Sequence, residues 1–373
     1  MATAATAADL ELTANWWRWL RSELAPFPGR ALMMWRIVIS VVVVIIISMT
    51  LQTPETAVSA YMVLFVSKEN RATTTIAGVG LTIGVTLGIF ISLFLFRHTF
   101  DFPEWRIPLM AVTVFAAMFL SRALVLGPLA FAIGFVVAIT QNMGESAPDA
   151  DSLTRALLWV WVSLIYPAIV TLVVHQLLPE GQPRQSVGHH GAAKAHHGLF
   201  VADAFTNPIY ARFALKVTLA AMACYLIYTG LDWPGIHTAF ITCIFIALES
   251  TAATIHKAWL RLGGCMVGGA LGFLSIMYLI PRMESITSLA LLTAAGTAVA
   301  GWVASGSPRI AYAGLQIGLA FFMCIFQDFS PGTNFTTIRD RLVGIVLGVV
   351  VSSAIFRYLW PEREAPAQNH RSG

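Results

Sequence analysis

The sequence predicts an all-α, polytopic membrane protein built as two parallel six-helix repeats, about 12 transmembrane helices in all. Three observations predict it. Of 373 residues, 57% are hydrophobic and only 11% are charged, where a soluble domain carries about a quarter charged residues. The apolar residues fall in runs near the ~20 residues that an α-helix needs to cross roughly 30 Å of hydrocarbon. Residues a fixed distance of roughly 180 apart also match one another, which is the signature of a duplication.

The elements follow in chain order. Residues 1–30 lack an apolar core of signal-peptide length, so no cleavable leader is expected there. Trp16, Trp17 and Trp19 beside Arg18 and Arg21 suit an amphipathic helix on the cytoplasmic membrane surface. The first membrane repeat is expected over 31–179, with apolar segments near 33–51, 55–67, 74–96, 107–121, 124–141 and 156–178. Runs such as Val41–Ile47 do not alternate in polarity, which favours helices over barrel strands. A polar stretch at 180–208, with four histidines, reads as a cytoplasmic linker. The second repeat is expected over 209–361, with segments near 211–229, 235–248, 255–280, 286–303, 310–326 and 342–360, before a cytoplasmic tail at 362–373.

A shift of 180 places Arg36 on Lys216, Pro54 on Pro234, Phe65 on Phe245 and Glu69 on Glu249. It also pairs Gly84 with Gly264 and Gly88 with Gly268, and a shift of 184 later pairs Ile133-Gly134 with Ile317-Gly318. Six spans per repeat make both repeats enter from one side, so they are parallel. Lys and Arg concentrate in the segments that are cytoplasmic if both termini are inside, and the loop at 142–154 carries none before Arg155. The net charge of +4 is therefore a topology signal and not a nucleic-acid footprint.

The second segment of each repeat is the most informative. Thr53-Pro54-Glu55 reads as a helix start, with Thr53 at the N-cap. From Pro54 to Val66 the helix climbs only about 20 Å, short of the bilayer core. Pro234 to Leu248 does the same. The residues that follow then fall partly within membrane depth, where an ionisable group is a functional candidate by default. Glu69 and Glu249 are the candidate proton carriers. Lys68, Asn70, Arg71 and Ser250 are the candidate substrate contacts. The plainer alternative is a charged cytoplasmic loop with capping residues.

Gly80, Gly84 and Gly88 share a helix face, as do Gly264, Gly268 and Gly272, and small residues at this spacing bring helices together. Asp328, Asp340 and Arg341 are expected to form a periplasmic network around the last outer loop, with substrate exit or partner docking as the competing role. Cys224, Cys243, Cys265 and Cys324 all lie in apolar runs without metal-ligand spacing, so they read as small buried hydrophobes. No metal or cofactor is expected. His189-His190 and His196-His197 lack acidic partners, and His256 reads as interfacial. There is no GxxxxGK[ST] signature and no catalytic constellation, so neither a nucleotide-driven pump nor an enzyme is expected.

Tyr61-Met-Val-Leu-Phe-Val-Ser-Lys-Glu-Asn-Arg71, ahead of a Thr- and Gly-rich helix, resembles the fusaric acid resistance protein family. So do Ser307-Pro-Arg-Ile-Ala-Tyr-Ala-Gly-Leu-Gln-Ile-Gly318, Phe326-Gln-Asp-Phe-Ser-Pro-Gly-Thr333 and Ile338-Arg-Asp-Arg-Leu-Val-Gly344. The resemblance covers about 31–361. It implies a bacterial inner-membrane efflux protein for aromatic acids or related drugs, similar to the aromatic acid exporters. Such proteins work with a periplasmic membrane-fusion adaptor and an outer-membrane channel. The distant likeness to aluminium-activated plant anion channels makes a channel the competing reading, and a non-transporting assembly component is the third. Two departures stand out. The linker is short where many relatives have a large cytoplasmic domain, and Asn334 stands where relatives often have an acid.

Overall fold

A computed structural model of the chain describes residues 18–144, 147–180, 199–247, 251–327, 330–332 and 335–360. After a helical segment at 18–24, twelve α-helices follow in two sets of six. The first set is α1 (Arg30–Leu51), α2 (Thr56–Val66), α3 (Arg71–Thr99), α4 (Pro103–Ala123), α5 (Gly127–Met143) and α6 (Ala150–Leu177). The second is α7 (Pro208–Gly230), α8 (Thr238–Ile246), α9 (Thr251–Leu274), α10 (Ile286–Ala304), α11 (Ala311–Ile325) and α12 (Phe335–Tyr358). Among the described residues, eight helices are long and apolar enough to cross a membrane. The molecule is an all-helical polytopic membrane protein. Ile76, Phe90, Trp105, Leu177 and Leu291 lie exposed on its outer faces, as lipid-facing residues do.

The four shorter apolar helices are the second and the fifth of each set. α2 has 11 residues and α8 has 9, so they rise only about 16 and 14 Å. The fifth helices, at 17 and 15 residues, lie within two residues of the lengths expected, and α5 starts three residues later than its segment. The chain in front of α5 is held elsewhere. Leu124 is bridged to Phe200, and Val125 N–H donates to the Leu199 carbonyl at 3.0 Å. Residues 199–201 thus dock on the turn before α5. Before α11 the chain runs through the turn at Ser305–Ile310.

The start of α2 departs from the expected cap. The helix begins at Thr56, with Glu55 at the cap position in the left-handed region (φ 58°). Thr53 caps nothing, and its buried hydroxyl lacks a partner. A left-handed Glu55 turns the chain sharply after Pro54, which moves the first helical residue two positions on.

Packing recurs between the two sets. α1 packs on α2 and α6, α2 on α6, α3 on α5, and α4 on α5. Likewise α7 packs on α8 and α12, α8 on α12, α9 on α11, and α10 on α11. The sets interlock, because the first helix of each lies against the fourth helix of the other, α1 on α10 and α7 on α4. The glycines give the register. A Cβ on Gly84 would meet Ala132, and one on Gly264 would meet Gln316. A Cβ on Gly88 would meet Val136 and the Ile133 carbonyl, and one on Gly268 would meet Ala320 and the Ile317 carbonyl. Gly80 differs from its helix mates, since nothing lies within 4 Å of its would-be side chain. It sits one turn beyond the reach of α5, so it does not serve packing.

One contact breaks the pattern. α2 lies directly on α11, with Leu64 against Gly318. The corresponding seam between α5 and α8 is filled by rings instead. Phe245 meets Phe135 edge-on at 4.4 Å and Phe131 at 6.5 Å.

Candidate functional site

The residues singled out from the sequence lie at the ends of helices. Asn70 caps α3, its side-chain oxygen accepting from Thr73 N at 2.7 Å. Arg71 opens that helix. Its backbone N–H donates to Glu180 Oε1 and its Nη2 to the Leu178 carbonyl, both at 2.8 Å. Lys68 is exposed, and its Nζ donates to the Phe65 carbonyl at 2.9 Å. Glu69 is exposed in the same loop. Glu249, Ser250 and Asp328 fall outside the described residues, as do His189, His190, His196 and His197. The structure therefore places the first-half candidates around the end of α6 and does not gather them into a cavity.

Arg36 joins Arg71 there. It is 1% exposed, and its Nη2 donates to the same Leu178 carbonyl at 3.1 Å. Its partner by the shift of 180, Lys216, is also buried and donates to the Trp360 carbonyl at 3.1 Å, just past α12. Both cations thus satisfy a carbonyl at the negative end of the last helix of their own half.

At the other face, Arg339 and Asp340 form an ion pair at 2.8 Å. The Asp340 carboxylate packs against Gly235, and Arg339 stacks over Trp233 at 5.4 Å. Arg341 does not join that pair. It contacts the Met323 sulfur, and the acid acting on it is Glu55 from the other half. All four cysteines are free and buried.

The most distinctive group was missed by the sequence reading. Arg261 lies within α9 and is 1% exposed. It lies five residues inside the membrane-crossing stretch His256–Arg282, about 7–8 Å along the helix. Arg261 Nε donates to Thr242 Oγ1 of α8 at 3.2 Å, and Nη1 donates to Gln316 Oε1 of α11 at 2.8 Å. Nη1 also lies 3.5 Å from the Tyr312 hydroxyl, and the guanidinium stacks over Phe245 at 5.6 Å. Tyr61, from α2 of the other half, interacts electrostatically with Arg261 and Tyr312.

No acid pairs with Arg261 among the described residues. Burying a charge without a counter-charge is costly. One donor of the cluster is unmet. Arg261 Nη2 makes no hydrogen bond to any described residue. The Gln316 amide turns its oxygen to Arg261 Nη1, and its other end faces the Tyr61 hydroxyl. A fixed positive charge with an unmet N–H donor is the chemistry of an anion site. The signal was present in the sequence as an arginine six residues into the apolar segment expected at 255–280. Its partners Thr242, Tyr312 and Gln316 gave no such signal, since they meet only through the fold.

Residues 220–355 match the family model described as fusaric acid resistance protein-like. That match lies within the second half, and the matched stretch contains Thr242, Arg261, Tyr312 and Gln316. The chain is also similar to the multidrug resistance protein MdtO of Shigella flexneri, 37% identical over 194 residues, which is 52% of this chain and 28% of that protein. The protein of the same name from Escherichia coli K12 is 39% identical over 165 residues, 44% of this chain and 24% of the relative. Inner membrane protein YccS of Escherichia coli K12 is 25% identical over 159 residues, 42% of this chain and 21% of the relative. The matches thus span about a quarter of the length of these relatives. No solved structure matches the chain.

Proposed function

We infer that the chain forms the membrane-embedded part of an exporter that carries organic anions or related drugs across the bacterial inner membrane. The observation that supports this reading is Arg261, a buried cation within a membrane-crossing helix with no acid paired to it among the described residues. The names of the relatives, multidrug resistance protein and inner membrane protein, agree with it. In this reading both termini are cytoplasmic and the two halves are parallel repeats. A periplasmic membrane-fusion adaptor and an outer-membrane channel complete the system. Protons drive export through Glu69 and Glu249.

The test is accumulation of a labelled aromatic acid in cells with and without the protein. Arg261→Gln is expected to reduce efflux about tenfold or more, the equivalent of losing a charge-assisted hydrogen bond worth ~1.5–3 kcal/mol. Efflux at the wild-type rate in that variant refutes a role for the site. If collapsing the proton gradient leaves efflux unchanged, proton coupling is wrong, and Glu69→Gln with Glu249→Gln is harmless. An anion channel is the competing reading, because a cationic path without a paired acid suits passive flow equally well. Unitary currents reversing at the anion potential in a planar bilayer favour the channel.

A further inference from the structure

Lys257 precedes Arg261 by four residues on α9, so it lies on the same helix face about 6 Å nearer the helix start. Its Nζ sits over the ring of Tyr312 at 4.8 Å, while the hydroxyl of that tyrosine lies 3.5 Å from Arg261 Nη1. One side chain therefore touches both cations, with its face under the outer one and its tip at the inner one. Lys257 is half-buried and Arg261 is buried. No acid bonds either cation among the described residues, so neither charge has a fixed counter-ion there. The matching places among the described residues of the first half differ. The shift that pairs Gly84 with Gly264 puts Ala77 and Leu81 at the places of Lys257 and Arg261. Gly84 meets Ala132 where Gly264 meets Gln316.

We propose that Lys257, Tyr312 and Arg261 form a two-station path for an organic carboxylate, entered at the Lys257 end, with one such path per chain. The proposal rests on the anion-transport reading and adds its route and its asymmetry. Lys257 receives the carboxylate as a point charge at the mouth. Tyr312 guides it one helical turn inward. Arg261 then holds it through Nη2, the donor from which no described residue accepts. A station passed on the way changes the rates of entry and exit but not the affinity of the final site. Removing the final site changes the affinity.

The full chain in lipid nanodiscs, mixed with salicylate in a stopped-flow fluorimeter, separates the two roles. One salicylate per chain is expected, with the neutral salicyl alcohol at least tenfold weaker. Lys257→Gln slows association and dissociation together, about fivefold or more, and leaves Kd within threefold, while Lys257→Arg restores the rates. Arg261→Gln weakens Kd tenfold or more. Should that variant not fold, Arg261→Lys keeps the charge, loses the fork, and is expected to weaken Kd at least fivefold. Unchanged rates in Lys257→Gln, an unchanged Kd in the folded Arg261 variant, or two equivalent sites per chain overturn the path. Flux of salicylate into proteoliposomes is measured in parallel. Absent flux with the expected binding kinetics refutes the transport reading and leaves the two stations standing.

Discussion

Lys216 and Arg36 occupy matching places but not matching chemistry. Lys216 donates to the Trp360 carbonyl, whereas the Leu178 carbonyl receives both Arg36 and Arg71. A hydrogen bond to a charged group contributes about 1.5–3 kcal/mol. Lys216→Met is therefore expected to lower stability by roughly that amount, and Arg36→Met by less, because Arg71 still satisfies its carbonyl. Thermal unfolding in detergent checks the order, and a larger loss for Arg36→Met contradicts it. The same reasoning explains why the first-half candidates Asn70 and Arg71 look structural in detail. Asn70 caps α3, and Arg71 uses its backbone N–H and Nη2 at the end of α6, although its Nε is buried and unpaired. Arg261 differs in place, since its guanidinium bonds side chains of two other helices and not a helix end.

The contrast between Gly80 and Gly268 decides how α3 and α9 are used. A Cβ on Gly268 would lie 2.2 Å from the Ile317 carbonyl, which is backbone and cannot swing aside. Gly268→Ala is therefore expected to cost roughly 1–3 kcal/mol through overpacking. Gly80→Ala meets open space, and alanine is the better helix former by up to about 1 kcal/mol. It is expected to be neutral or stabilising. Melting temperatures of the two variants in one detergent test this, and equal destabilisation sinks the assignment. Both glycines follow the same spacing in the sequence. Only the position of the neighbouring helix separates a packing glycine from an idle one.

The interlocked halves make a prediction for the entire molecule. α1 rests on α10, and α7 rests on α4. The segment before each of those first helices is tied to the opposite half as well. Arg30 donates to the Trp302 carbonyl at 3.0 Å through Nε, and Trp302 Nε1 donates to the Leu24 carbonyl at 3.0 Å. Val201 N donates to the Ala123 carbonyl at 2.9 Å. Helices in lipid associate by packing and hydrogen bonding, since the tails are as apolar as the side chains. A half on its own thus loses a seam that lipid cannot replace in shape. Fragments 1–180 and 199–373 are expected to be degraded when made singly and to copurify when made together. Stable accumulation of either fragment alone, measured by membrane immunoblot, contradicts the interlock.

The sequence by itself determined the class of the protein, the approximate position of each helix and the short second helices. Composition, run length and proline placement are local properties, and the bilayer imposes its thickness on each run separately. The register of the halves was legible too, because Gly84, Gly88, Gly264 and Gly268 recur at a fixed shift. The tertiary structure decided the rest. It docked 199–201 on the turn before α5, set Arg71 and Asn70 at helix ends, and brought the charge of Glu55 to act on Arg341 across the halves. Above all it assembled Arg261 of α9 with Thr242 of α8, Tyr312 and Gln316 of α11 and Tyr61 of α2. Residues up to 255 positions apart share that site, from Tyr61 to Gln316. Electrostatics and hydrogen bonding act over a few ångströms of space, and no spacing along the chain encodes which helices meet.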